Sequence, residues 1–344
     1  MKKIVVIGGG FAGAYIARKL EKDFDVTLID SKDYFEFTPG IPRTIVEPEH
    51  IKKIQILHTN YLKKAGVIIE CATTLTEKEV KIKNKRIKFD YLVICSGSSY
   101  NSPFKEKDIV ILTRAKTLKN CSSKLEKAKK ILIVGGGLVG TELAAEICTH
   151  YKNKEIVIIH SKDRLIERNS KEASRYAEKF LKKRGIKIIY NEIAVESNKY
   201  KFTTNKGSIL KADMVFLCTG IIPNFESMKK NFSKNLNESN QIKVNEYLQL
   251  TNHKNIFAAG DITDITEEKT AQNALRQARA VVKNIKAIEN NKPLLIYKSK
   301  QAPLVISLGK YCGIFSWKNF VFTGIVPGIL KTLIEKREMW KLKL

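Results

Sequence analysis

The chain has 344 residues, with 62 Lys or Arg against 35 Asp or Glu and a formal charge of +27. At 43% hydrophobic and 28% charged residues it has the composition of a folded soluble protein of two domains, or three with one interrupted; a disordered, collagen-like or low-complexity chain is excluded. No stretch reaches the ~18 uncharged apolar residues of a membrane-spanning helix, the longest candidate (319–330) being short and holding Pro327.

Ile4, Val5, Val6 and Ile7 form a continuous apolar run, which predicts a strand buried on both faces. Gly8-Gly9-Gly10-Phe11-Ala12-Gly13 follows, then a helical pattern over 14–20 and a second strand over 26–29 that ends in Asp30. Strand, GxGxxG, helix, strand and acid in this order predict a dinucleotide-binding unit. Gly8 allows the tight turn, Gly10 lets a pyrophosphate approach the backbone, and Gly13 lets helix and strand pack closely. The helix N-terminus faces the phosphates, and Asp30 is placed to bond ribose hydroxyls.

The pattern recurs at 131–134, Gly135-Gly136-Gly137-Leu138-Val139-Gly140, a helix over 141–149 and a strand over 156–159. Two bound dinucleotides are implied, or a duplication with one unit idle. The second copy has His160 where the first has Asp30, followed by Ser161, Lys162 and Arg164. Loss of the acid removes repulsion of a 2′-phosphate that these cations could bind, which predicts NADPH to be at least as good a donor as NADH. The alternative is that His160 merely ends its strand and NADH is used. Three further segments, 89–98, 212–220 and 255–261, read as apolar strands ending in small residues where backbone approaches a ligand. Asp261 closes the last of them, just before a helix over 270–285, either receiving ligand hydroxyls or serving as a helix-entry residue.

Residues 302–308 and 313–315 suggest short strands, and 329–344 a helix. Ile329, Leu330, Leu333, Ile334 and Trp340 fall near one face of it, while Lys331, Lys336, Arg337, Lys341 and Lys343 outnumber Glu335 and Glu338. An apolar face with a cationic rim suits a membrane surface; the rival is a helix docking on its own chain or on a second subunit. The six cysteines (71, 95, 121, 148, 218 and 312) form no CxxC pair, which predicts reduced thiols and no metal site. Reduced thiols predict a cytoplasmic chain, peripheral on the cytoplasmic membrane face if the helix binds lipid; the glycines arrive too soon after Lys3 for the apolar stretch of a signal peptide.

In their order, Gly8–Gly13 with Asp30, the Cys95-Ser96-Gly97-Ser98 strand end, the second GxGxxG with Glu142, the Cys218-Thr219-Gly220 junction and Ala259-Gly260-Asp261 resemble the two-dinucleotide flavoproteins, the pyridine nucleotide oxidoreductases. The resemblance implies an α/β fold of two Rossmann-like domains: FAD domain 1–112 and 247–294, inserted NAD(P)H domain 113–246, and a C-terminal membrane- or dimer-facing segment 295–344. It implies FAD in the first unit, with Asp261 on the ribitol, and NADPH or NADH in the second. Residues 33–43 lack the CxxxxC of the disulfide reductases and resemble the type II NADH dehydrogenases and the ferroptosis-suppressor, apoptosis-inducing-factor-like branch. By that resemblance Arg43 contacts FAD, and Thr270 and Ala271 lie along the quinone side of the flavin. Leu275-Arg276-Gln277 stands where that stretch commonly carries a Gln pair. The implied cofactor-binding set is completed by the loop residues Phe11, Ala12, Leu138 and Val139, by Cys71, Ser96, Gly97, Gly220 and Gly260, and by His160, Lys162 and Arg164. Glu142, in the first turn of its helix, is either a nicotinamide-orienting, proton-relaying carboxylate, as in the resembling enzymes, or an acid favoured there by the helix dipole.

The expected activity is FAD-dependent NAD(P)H:quinone oxidoreduction at a membrane surface. Rival readings are reduction of a soluble acceptor (ferredoxin, a small redox protein or oxygen) and a basic anion- or nucleic-acid-binding flavoprotein. No motif supports specific nucleic-acid recognition.

Overall fold

The computed structural model describes residues 1–100, 104, 111–198 and 201–343. The first apolar run is strand β1 (Lys3–Ile7), followed by helix α1 (Phe11–Leu20) and strands β2 (Asp25–Asp30), β3 (Gly66–Ile69) and β4 (Tyr91–Ile94). The second unit runs β5 (Lys130–Val134), α2 (Leu138–His150), β6 (Glu155–His160), β7 (Lys187–Tyr190) and β8 (Met214–Leu217). The chain then returns through β9 (Ile256–Ala258) and α3 (Ala271–Glu289).

β9 pairs with β4, β4 with β1, β1 with β2 and β2 with β3, all parallel, in a five-stranded sheet ordered β9-β4-β1-β2-β3. The second sheet is parallel as well, ordered β7-β6-β5-β8. Both orders reverse direction beside the strand that carries a glycine loop, which opens a crevice at the carboxyl edge. β1 is apolar throughout because both its faces are covered. Ile4 and Val6 pack among Ile16 and Leu20 of α1 and Val281 and Ile285 of α3, whereas Val5 and Ile7 pack against Leu75, Val80 and Ile82 and against Leu250. Each such side chain stabilises the fold by about 1.5–3 kcal/mol.

The C-terminal part is a three-stranded antiparallel sheet, β10 (Leu304–Ser307), β11 (Gly313–Trp317) and β12 (Phe320–Gly324), followed by helix α4 (Ile325–Lys343). The helix starts four residues before the expected position, because Pro327 falls in its first turn, where a missing N–H breaks no helical bond. Its apolar residues also divide differently from the expectation of a single face. Leu330 and Ile334 turn into the interior cavity described below, while Ile329, Leu333 and Trp340 are exposed.

Candidate active site

A cavity of about 930 Å³ opens at the carboxyl edge of the first sheet. Gly8, Gly10, Phe11 and Ala12 of the first loop line it, with Asp30, Ser96 and Gly97 after β4, Gly260 and Asp261 after β9, and Thr270 and Ala271 at the start of α3. Leu138, Val139 and Glu142 enter from the second unit, and Leu330, Lys331 and Ile334 from α4.

The loop glycines divide into two kinds. A Cβ on Gly13 would lie 1.8 Å from the Gly8 carbonyl oxygen, so helix and strand touch only because Gly13 has none. A Cβ on Gly10 would meet no atom within 4 Å, since that position opens onto the cavity. Gly140 (1.9 Å from the Gly135 oxygen) and Gly137 repeat the pair in the second unit. Both loops therefore fit a dinucleotide pyrophosphate, one packed from behind and one left open in front.

Asp30 Oδ2 accepts the Gly9 N–H at 2.8 Å and lies 3.1 Å from His58 Nε2; His58 Nδ1 lies 2.7 Å from the Tyr61 hydroxyl. Burial pushes the Asp30 carboxyl up, but the His58 hydrogen bond and the nearby Lys32 charge outweigh it and hold the group below the usual range. It therefore stays ionised, as an acceptor for hydroxyls must. Asp261 Oδ2 accepts from Ser98 Oγ at 2.6 Å, and the turn before it is fixed by Gln277 Oε1, which accepts the Gly260 N–H at 2.7 Å. Gln277 is thus buried as a turn anchor, while Leu275 faces the cavity.

Glu142 Oε1 accepts the Ser307 N–H at 2.8 Å and a Lys331 Nζ hydrogen at 2.9 Å, so α2 of the second unit meets β10 and α4 of the C-terminal part at this carboxylate. One turn on, Glu146 Oε1 accepts from Ser307 Oγ at 3.1 Å and from Arg43 Nη2 at 3.2 Å. Burial raises the Glu146 carboxyl pKa, and the Arg43 charge offsets this only in part.

Several expected residues stand elsewhere. Arg43 does not line the cavity: its guanidinium meets Glu146 and the Gly309 carbonyl (3.4 Å), drawn by the buried carboxylate. Cys71 is exposed beyond the end of β3, and Gly220 is exposed beyond β8; both lie outside the lining. His160 pairs with Glu167, Nε2 to Oε2 at 3.2 Å. Lys162 is exposed, whereas Arg164 donates to the backbone carbonyls of Asn169 (3.0 Å) and Glu167, not to an open phosphate site. No motif in the sequence singles out His58, Ser307 or Glu167, and Lys331 stands there as one cation among several.

Residues 2–278 match the family described as pyridine nucleotide-disulphide oxidoreductase. The chain is 35% identical to apoptosis-inducing factor homolog B of Dictyostelium discoideum, over 91% of this chain and 89% of that protein. It is 29% identical to ferroptosis suppressor protein 1 of Homo sapiens, over 96% and 92%. Its fold is similar to the sulfide:quinone oxidoreductase of Aquifex aeolicus (TM-score 0.86, 22% identity, 100% and 92% covered). It is also similar to NDH2 of Plasmodium falciparum in complex with NADH (TM-score 0.82, 17% identity, 99% and 96% covered). With two glycine loops built to hold dinucleotides, this chain belongs to the pyridine nucleotide-disulphide oxidoreductase family and is an oxidoreductase whose cofactors are FAD and NAD(P)H.

Proposed function

We propose that the chain is an NAD(P)H:quinone oxidoreductase that works at a membrane surface. Held by the first glycine loop, Asp30 and Asp261, FAD supplies hydride acceptance and two-electron delivery. The observation that carries the reading is the course of the cavity, which runs from that loop past Glu142 and Lys331 to α4, whose outer face is apolar and exposed. Ile325 (66% exposed), Ile329 and Leu333 (54%) follow at helical spacing, with Trp340 (60%) beyond them, and Phe320 and Phe322 of the preceding strand are exposed as well. Lys336 and Lys343 of the same helix are exposed as well, and an exposed apolar face with cations suits an anionic lipid boundary. Among the described residues no helix is long and apolar enough to cross a membrane, so contact at one surface is the arrangement open to α4.

A quinone that gains two electrons also takes up two protons. Glu142 Oε1 and Lys331 Nζ, 2.9 Å apart in the cavity wall, are placed to hold and pass an exchangeable proton, and the Ser307 N–H fixes the carboxylate. Leu330, Ile334 and Phe315 line the cavity with Lys331 and offer apolar contact to a quinone ring, while Arg337, Glu338 and Lys341 make the rest of the α4 wall polar. Thiol chemistry finds no support. Among the described lining residues Cys95 is the one cysteine, and burial pushes its thiol pKa far up, where it is inert. A quinone is also named for the Aquifex aeolicus enzyme with this fold.

Changing Leu333 and Trp340 together to serine removes the centre of the patch without touching the buried side of α4. We expect pelleting with anionic vesicles and turnover of a long-tailed quinone to fall about tenfold or more, from ~1.5–3 kcal/mol lost per apolar side chain. Turnover of a short, water-soluble quinone should hold. If the patch is instead an interface between two copies, both quinones lose rate alike and the oligomeric state changes on gel filtration.

A further inference from the structure

The two glycine loops carry the same pair of side-chain types with the partners exchanged. In the first unit the carboxylate ends the strand: Asp30 closes β2 and meets His58, and a Cβ on Gly9 would lie 2.3 Å from the His58 ring and 2.6 Å from Asp30 Oδ2. In the second unit the histidine ends the strand: His160 closes β6, and a Cβ on Gly136 would lie 3.0 Å from its ring. The carboxylate there comes from Glu167, 3.2 Å from His160 Nε2, and its neighbour Ile166 is pinned to the loop by an N–H bond to the Gly136 carbonyl at 2.8 Å. A second acid is at hand. Glu192 donates its N–H to the His160 carbonyl at 3.2 Å, and its Oε2 is buried with no partner among the described residues.

We propose that the His160–Glu167 pair is the ribose-recognition element of the second unit and selects NADH over NADPH. The inference rests on the second unit as the nicotinamide-nucleotide site and is independent of the electron acceptor. A carboxylate held by the strand-end histidine accepts a ribose 2′-hydroxyl in the role that an acid at the strand end has in dinucleotide-binding folds. A 2′-phosphate in the same place meets the like charge of Glu167 and finds the Arg164 guanidinium bound to backbone carbonyls. The expectation drawn from Lys162 and Arg164 is thereby reversed.

The test uses the FAD-loaded protein with no acceptor added. Calorimetry compares 5′-AMP with adenosine 2′,5′-bisphosphate, which differ only in the 2′-phosphate, and anaerobic stopped-flow compares flavin reduction by NADH and NADPH. The wild type should favour the unphosphorylated member of each pair by about tenfold or more, and the isosteric Glu167→Gln should narrow both ratios by a similar factor through a gain on the phosphorylated side. Lys162→Ala should leave both ratios unchanged. A wild type that prefers NADPH, a Glu167→Gln variant with unchanged ratios, or selective loss of the phosphorylated ligands in Lys162→Ala would each overturn the assignment.

Discussion

Gly10→Ala is expected to yield a protein that folds as the wild type does but comes off the column colourless, whereas Gly13→Ala loses both flavin and stability. The contrast follows from what a methyl group meets. At Gly10 it projects into the cavity, where nothing stands within 4 Å, so only the incoming pyrophosphate is excluded. At Gly13 it lies 1.8 Å from the Gly8 carbonyl oxygen and 3.3 Å from Cys95 Cβ, so α1 must move off β1 and β4. Overpacking of this kind costs about 1–3 kcal/mol or more. Bound FAD itself stabilises the native state by mass action, so melting must be compared between flavin-free proteins. Equal melting of flavin-free wild type and Gly13→Ala, or full flavin retention by Gly10→Ala, would contradict this account of the loop.

Lys331→Ala is expected to produce the largest loss of rate. Glu142 is buried and paired with Lys331, and removing one member of such a pair strands the other at a cost of about 3–5 kcal/mol. If a few kcal/mol of that appears in the barrier, flavin reduction or quinone reduction slows by about 100-fold or more in single-turnover experiments. Lys331→Arg, which keeps the charge, should recover most of the loss. A Lys331→Ala protein that melts lower but reacts at the wild-type rate would reduce the pair to a strut between α4 and α2. Deleting α4 is a poor substitute for this test. The helix also carries Glu335, 3.0 Å from the buried His50, and buries Met339 in the core, so deletion damages the fold and the site together.

The legible parts of the molecule were those in which local geometry dictates residue type. A tight strand-to-helix turn against a phosphate demands glycine at fixed offsets, so both loops and their strands stand where the sequence places them; α2, however, starts at Leu138, which puts Glu142 in its second turn and not in the first, where the helix dipole would favour an acid. Pairings made by the tertiary fold leave no such trace. His58 meets Asp30 across 28 residues, Arg43 meets Glu146 across 103, and Lys331 meets Glu142 across 189. The resemblance places Arg43 at the flavin, and nothing in its local sequence announces the buried Glu146 that its guanidinium meets. Arg164 looked like a phosphate ligand because a cation near a missing acid invites that reading, yet its fork closes on the loop's own carbonyls. In α4, i, i+4 spacing could not reveal that the helix has two buried neighbours, the cavity and the FAD-side core, which split its apolar residues between inside and outside.

The central claim is that electrons leave this flavin for a lipid-borne quinone. The most direct measurement reduces the FAD-loaded protein anaerobically with NADH, then mixes it rapidly with a long-tailed quinone in anionic vesicles, a short water-soluble quinone, oxygen or ferredoxin, and follows the return of flavin absorbance. The account predicts the fastest return with the vesicle-borne quinone, about 100-fold or more ahead of oxygen, a barrier difference of about 2.7 kcal/mol. Faster return with oxygen or ferredoxin than with either quinone would contradict it.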